Sequence, residues 1–145
     1  MDERILKKVE LFSGLSPDEL RAVAAICREH SLHPGEVIAR QGDPGNEFYI
    51  ITAGFVAIVV AGEPEKVIVN LGKGQSVGEM SLIDQGPRSA TVRAVSEPTI
   101  VQAISQSDFE KLCNQDTRIG YVVMRNIAVD LSFKLRQRHL SESRR

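Results

Sequence analysis

The sequence predicts a mainly β fold with flanking helices, and the placement of glycine is the main reason. Nine of the eleven glycines lie between Gly35 and Gly86, where they separate short apolar runs as turns between strands do. The flanking segments contain few glycines and many helix formers. At 145 residues the chain suits one domain, so we expect a single domain, 1–145. Its expected parts are N-terminal helices in 1–33, a β region in 34–104 and C-terminal helices in 105–140.

The N-terminal part begins with a predicted helix over residues 2–11. In the next predicted helix Ser16 is the N-cap, Pro17 takes the first helical position and Glu19 the third, which is the pattern of a capping box. Pro34 and the glycine after it are expected to end the helical part. The second helix should bury one face, because apolar residues recur at helical spacing at Leu20, Val23, Ala24 and Cys27.

The β region consists of short runs rich in β-branched and aromatic residues, separated by turn residues. The predicted strands are 37–39, 48–51, 55–60, 66–71, 90–94 and 99–104. Short and frequent strands are typical of a barrel, a sandwich or a jelly roll, and their number does not choose among these.

The C-terminal part is predicted to contain two helices. Ser107 is expected to cap a helix over 108–114, and a longer helix is expected over 117–140. An apolar residue recurs every fourth position in the long helix, which predicts an apolar stripe that packs on the strands or meets a second copy of itself. Our hypothesis is that the stripe is the seam of a parallel homodimer; its members are Ile119, Val123, Ile127, Leu131 and Leu135.

Composition excludes several classes of function. The formal net charge of −1 argues against a protein that coats nucleic acid, and no apolar run is long enough to span a membrane. Cys27 and Cys113 fit no metal-ligand spacing, and we expect reduced thiols in a cytoplasmic protein. The three histidines form no metal-ligand cluster, and no serine or cysteine lies in a nucleophile motif. We therefore expect no catalytic residues and no metal site.

One end of the chain is basic. Residues 134–145 hold five Lys or Arg and one Glu, a net of 5 − 1 = +4. Such an end can dock an acidic partner, but it is more often a solvated helix end whose cations complement the helix dipole.

The segment 77–92 combines features of an anion-binding site. Gly78 allows close approach of backbone and ligand, and the amides of the following turn can face an anion. Arg88 can hold two phosphate oxygens, and Ser89 adds a hydroxyl. Glu79 would repel an anion, yet it could accept a hydrogen bond from a ligand hydroxyl. The competing interpretation is that Glu79 and Arg88 form an ion pair with each other that fixes a loop.

This segment resembles the phosphate-binding cassette of the cyclic nucleotide-binding domain family. The resemblance lies in Gly78-Glu79-Met80-Ser81-Leu82 followed by Pro87-Arg88-Ser89-Ala90-Thr91-Val92. Further similar stretches occur in the family's order, and together they cover roughly residues 10 to 138: Leu11 to Ser16, Pro34 to Ile38, Gln41 to Gly45, and Tyr49 to Ile51 with Gly54.

The resemblance implies a β-roll of about eight strands, with N-terminal helices and a long C-terminal helix. It implies that Glu79 accepts a hydrogen bond from the ribose 2′-hydroxyl and that Arg88 pairs with the cyclic phosphate. The backbone amides near Met80, Ser81, Ser89 and Ala90 would complete the anion site, together with Gly78. The ligand would be cyclic AMP (cAMP) rather than cyclic GMP (cGMP), with no cofactor.

Two features depart from the family pattern. Val77 stands where an aromatic residue is usual, and we expect it still to pack, with less area. The C-terminal helix of relatives covers the base, and here the candidate base lid is Lys134 and Leu135.

The resemblance leaves three roles open. The chain could be a cyclic nucleotide sensor that acts through its C-terminal helices on an unknown effector protein. It could be an interaction module of the same fold without a ligand, or the sensor part of a longer transcription regulator, kinase or channel. The sequence stops at Arg145, so we expect no helix-turn-helix and no DNA contact from these residues.

Overall fold

Four helices and eight strands form the described part of the chain. The computed structural model describes residues 1–143, with side chains through Leu140, so Arg144 and Arg145 of the basic end lie outside the described residues. The helices are α1 (Glu3–Leu6), α2 (Pro17–Ala25), α3 (Gln106–Gln115) and α4 (Thr117–Ser143), with 3₁₀ turns at Glu10–Phe12 and Glu79–Leu82. The strands are β1 (Arg28–Leu32), β2 (Val37–Ala39), β3 (Glu47–Ala53), β4 (Val56–Val60), β5 (Lys66–Leu71), β6 (Ser76–Val77), β7 (Thr91–Ala94) and β8 (Thr99–Ser105).

The strands form two antiparallel sheets of four, in the orders β1-β8-β3-β6 and β2-β7-β4-β5. The predicted fold class, mainly β with eight strands, short N-terminal helices and a long C-terminal helix, is therefore confirmed. In the first sheet Tyr49 of β3 lies opposite Val77 of β6. This pairing brings the segment that follows Val77 next to the start of β3.

The N-terminal part differs from the predicted helices at 1–33. The first predicted helix is a four-residue helix and a separate 3₁₀ turn, and α2 ends at Ala25, before Cys27. Residues 28–32 form β1, which pairs with β8 and buries only Leu32. Its other residues are charged or polar and exposed, so the sequence carries no alternating apolar signal there.

The helix caps agree with the prediction at one end of the chain and not at the other. The capping box of α2 is present, with the Glu19 amide donating to Ser16 Oγ (3.2 Å) and the Ser16 amide donating to Glu19 Oε1 (2.8 Å). Ser107 is not the cap of α3. Ser105 takes that place and accepts from the Asp108 amide (3.1 Å), so α3 begins two residues earlier than predicted.

The apolar stripe of α4 packs inside the domain. Ile119, Val123 and Ile127 are at most 2% exposed and belong to the core that the helices share with β3, and Leu131 packs against it. The hypothesis that this stripe is a dimer seam is therefore wrong, because a second copy cannot reach these side chains. Leu135, the last member, is 54% exposed.

The two cysteines are free thiols, as predicted, and both are partly buried. Burial raises the pKa of Cys27 to about 11. Among the helices that the structure describes, none is long and apolar enough to cross a lipid bilayer.

Candidate ligand-binding site

A cavity of about 330 Å³ opens beside the cassette segment. All seven residues that the sequence singled out for ligand binding line it: Gly78, Glu79, Met80, Ser81, Arg88, Ser89 and Ala90. Three apolar side chains, Ile58, Val77 and Val92, line it as well. Val77 also packs against the core between the sheets, as expected for the residue that replaces an aromatic one.

The turn at the start of the cassette depends on Gly78. Its φ of +89° lies in the left-handed region, and a Cβ there would lie 3.0 Å from Arg88 Nη1 and 3.1 Å from the Glu47 carbonyl oxygen. The 3₁₀ turn that follows is closed by the Ser81 amide, which donates to the Gly78 carbonyl (2.9 Å). Four backbone amides were predicted to bind an anion, and the amide of Ser81 already makes a hydrogen bond inside the turn.

The backbone of Arg88 is held by the loop between β2 and β3. The Arg88 amide donates to the Asp43 carbonyl (2.9 Å), and its carbonyl accepts from the Gly42 amide (2.8 Å). The Gly45 amide donates to the Gly86 carbonyl (3.0 Å) two residues earlier. A Cβ on Gly45 would lie 2.7 Å from Ser81 Oγ, so this loop also touches the turn. The loop thus joins the two halves of the cassette.

The Arg88 guanidinium is partly held from one side. Its Nη2 donates to the Glu47 carbonyl (2.9 Å), and its central carbon lies 5.3 Å from the centre of the Tyr49 ring. Its Nη1 is the nitrogen near Gly78. Since Arg88 also lines the cavity, the geometry offers a cation with donors to an anionic ligand.

Glu79 does not pair with Arg88. Among the ion pairs of the described residues, Glu79 Oε1 lies 3.8 Å from Lys134 Nζ, and that ammonium lies 2.9 Å from Asp130 Oδ2. The hydrogen bond to Asp130 is the main cause of a raised pKa at Lys134, and Glu79 adds to it. The interpretation of a Glu79–Arg88 ion pair is therefore wrong in this structure.

The candidate base lid is only partly in place. Neither Lys134 nor Leu135 is among the residues that line the cavity. Lys134 reaches the site by its contact with Glu79, whereas the Leu135 side chain is more than half exposed. The role of Lys134 and Leu135 as a lid over the base therefore stays a prediction, and of the two only Lys134 contacts a residue that lines the cavity.

The arrangement can recognise a ligand that has an anionic and a hydroxylated part. The comparison with known families agrees with that chemistry, since the family described as "Cyclic nucleotide-binding domain" matches residues 29–116. The chain belongs to the cyclic nucleotide-binding domain family. This family is regulatory rather than catalytic.

Three relatives show how far the similarity extends. A cAMP-dependent protein kinase regulatory subunit of Hypocrea atroviridis is 31% identical over 112 residues, which are 77% of this chain and 23% of that protein. The Cyclic AMP receptor protein of Thermus thermophilus is 33% identical over 137 residues, 93% of this chain and 61% of that protein. The chain thus spans less than two thirds of either curated relative.

The third relative is a solved structure. The N-terminal domain of a transcriptional regulator from Streptomyces coelicolor A3(2) has a TM-score of 0.84 and 26% identity, covering 92% of this chain and 94% of that one. The β-roll with its flanking helices is therefore the cyclic nucleotide-binding fold along nearly the whole chain.

Sequence reasoning missed the residues that support Arg88 from outside the cassette. Glu47 and Tyr49 of β3, with Gly42, Asp43 and Gly45 of the preceding loop, contact it or its neighbours. The dense turn residues of the loop were visible in the sequence. Their contact with Arg88 depends on strand pairing across more than forty positions, which has no local signal.

Within the described part of the chain, no group of three or more His, Cys, Asp or Glu side chains is placed to hold a metal ion.

Proposed function

We propose that this chain is a sensor module that binds cAMP, and less strongly cGMP, and signals through movement of its C-terminal helices. The observation that carries the proposal is that Glu79 and Arg88 line one cavity without neutralising each other. A ligand with a phosphate next to a sugar hydroxyl uses both groups, whereas a plain anion gains nothing from Glu79.

In the proposed complex Arg88 binds the cyclic phosphate and Glu79 accepts from the ribose 2′-hydroxyl. The hydroxyl of Ser89 and the backbone near Gly78, Met80 and Ala90 surround the phosphate. The apolar side chains that line the cavity, Ile58, Val77 and Val92, would contact the flat faces of the sugar and base. The names of the two curated relatives, which both refer to cAMP, support this choice of base.

The output would pass through α4. Lys134 links α4 to Glu79, so a ligand hydroxyl on Glu79 competes with a contact made by the helix. A homodimer through α4 would use a face other than the buried stripe. Val129, Phe133 and Leu140 are 54%, 61% and 53% exposed and recur at spacings of four and seven, which places them on one side of the helix.

The module would be cytoplasmic and not an enzyme, and its effector protein is unknown. Whether it works alone or as the sensor part of a longer regulator, kinase or channel depends on the protein that contains it.

The test is a calorimetric titration of the wild type with cAMP, cGMP and AMP. We expect binding of cAMP, weaker binding of cGMP and none of AMP, whose phosphate is not cyclic. Arg88→Leu should abolish binding, and Glu79→Ala should weaken it by about 1–3 kcal/mol, the cost of leaving the ligand hydroxyl without its hydrogen-bond partner.

Arg93→Leu is the matched control. Arg93 lies on β7, pairs with Glu65 (2.9 Å) and does not line the cavity, so its loss should leave the affinity unchanged. A wild type that binds neither cyclic nucleotide would favour the interaction module without a ligand. Equal losses for Arg88→Leu and Arg93→Leu would contradict the site.

A further inference from the structure

Tyr49 lies behind the cassette rather than in the cavity. Its side chain is 3% exposed, within the core between the sheets, and it is not among the residues that line the cavity. The Arg88 guanidinium carbon lies 5.3 Å from its ring centre. A guanidinium within about 6 Å of a ring centre is attracted by the electron-rich face of the ring.

Glu47 connects the two side chains into a closed set of contacts. The Tyr49 hydroxyl donates to Glu47 Oε1 (3.2 Å), and Arg88 Nη2 donates to the Glu47 carbonyl oxygen (2.9 Å). Burial, with the nearby Glu47 carboxylate, raises the pKa of Tyr49 to about 12. The hydroxyl therefore stays protonated and keeps donating at any physiological pH.

Arg88 has open space on two sides. Besides the candidate ligand cavity it lines a second cavity, of about 250 Å³, which also contains Asp43, Glu47 and Tyr49. The carboxylates of that second cavity would attract a guanidinium that was free to turn. The ring and the Glu47 carbonyl are the contacts that oppose such a turn.

We propose that Tyr49 is a positioning residue for Arg88. The Tyr49 ring holds the Arg88 guanidinium in the orientation that a phosphate in the cavity requires. The proposal rests on the proposed function for its effect on affinity. A side chain fixed before binding loses less conformational entropy when the ligand arrives. The ring, and not the hydroxyl, is the group that matters.

The first measurement needs no ligand. Protons above a ring are shifted upfield, and the Arg88 guanidinium carbon lies over the Tyr49 ring, so the guanidinium N–H resonance of the free protein should lie upfield in the wild type and in Tyr49→Phe. It should return toward the ordinary arginine position in Tyr49→Leu. An unshifted wild-type resonance would overturn the inference.

The second measurement is cAMP affinity by calorimetry. Tyr49→Leu should lower it by about 3- to 30-fold, the range set by cation–π attraction, while Tyr49→Phe should stay within about twofold because the ring remains. Ile51→Ala is the matched control: Ile51 is a fully buried residue of the same strand and core. It should lower the melting temperature and leave the affinity of the folded protein unchanged.

The outcomes separate this inference from the proposed function. A wild type that binds no cyclic nucleotide refutes the function, and the resonance of Arg88 then still decides the role of Tyr49. Binding that is equally strong in Tyr49→Leu and Tyr49→Phe refutes the role of the ring while the function stands. A loss in Ile51→Ala as large as that in Tyr49→Leu would mean that general destabilisation is the cause, and would overturn the inference.

Discussion

Replacing Gly78 with alanine should damage the site more than the fold. The new Cβ would lie 3.0 Å from Arg88 Nη1 and 3.1 Å from the carbonyl of Glu47, which is the acceptor for the other terminal nitrogen of Arg88. Both contacts are tighter than a Cβ normally makes, so the guanidinium and the Glu47 carbonyl must each move by some tenths of an ångström. Gly74 offers a matched control, because its φ of +87° is nearly that of Gly78 (+89°) and no atom of the described residues lies within 4 Å of its Cβ position.

Both substitutions should lower the stability by the same backbone strain, whereas only one should also lower the affinity for cAMP. A non-glycine residue in the left-handed region costs about 1–2 kcal/mol, of which about 0.4–1 kcal/mol is offset by the stiffer unfolded chain. Each variant should therefore lose about 1 kcal/mol of unfolding free energy, or about 4 °C in melting temperature. Only Gly78→Ala moves Arg88. Loss of a charge-assisted hydrogen bond costs about 1.5–3 kcal/mol, which corresponds to a 10- to 150-fold weaker affinity.

Calorimetry measures both the melting temperature and the cAMP affinity of the two variants. Scanning calorimetry should give similar melting temperatures for Gly78→Ala and Gly74→Ala, and titration with cAMP should separate them by about tenfold or more. If both variants bind cAMP as tightly as the wild type does, Arg88 does not need the close approach that Gly78 provides. If both bind cAMP more weakly than the wild type and to the same extent, the loss comes from backbone strain in general.

Three further results are expected. Ile127→Ala should lower the unfolding free energy by about 2–5 kcal/mol in urea denaturation, whereas the exposed Val129→Ala should change it by less than about 0.5 kcal/mol. Glu19 accepts from the Ser16 amide and pairs with Arg118, and these contacts lower its pKa. The contribution of Glu19 to the free energy of unfolding is therefore present above its pKa in the unfolded chain, about 4.3. It is lost as the pH falls through the lower pKa of Glu19 in the folded protein. Glu19→Gln should therefore make the loss of stability at acid pH less steep. Because the pKa of Cys27 is about 11, its alkylation by iodoacetamide at neutral pH should be slow until the protein is unfolded.

Local patterns explain where the sequence and the structure agree. Gly78 and Glu79 lie next to each other, and so do Arg88 and Ser89, so the lining of the cavity follows from two short stretches. The capping box of α2 is likewise decided within four residues. The fourfold apolar spacing in α4 correctly marked one face, but what covers that face depends on parts of the chain more than ninety positions away, including Leu11.

The strand at 28–32 and the support of Arg88 were not predicted from the sequence, because both depend on long-range pairing. Residues 28–32 have no alternating pattern and are a strand because β8 is available beside them. The contacts of Arg88 with Glu47 and Tyr49 likewise require β3 to run under the cassette, which the pairing of β3 with β6 achieves. Neither the strand at 28–32 nor the support of Arg88 has a local sequence pattern that predicts it.

The packing of α4 limits which part of this helix can move when a ligand binds. The first half of the helix is fixed by Ile119, Val123 and Ile127, so any movement belongs to the part beyond Leu131. There Lys134 meets Glu79 at 3.8 Å with 59% of its side chain exposed. An exposed ion pair contributes at most about 1 kcal/mol, and breaking it would shift a two-state equilibrium by about fivefold. A sharper switch therefore needs a second contact that changes at the same time.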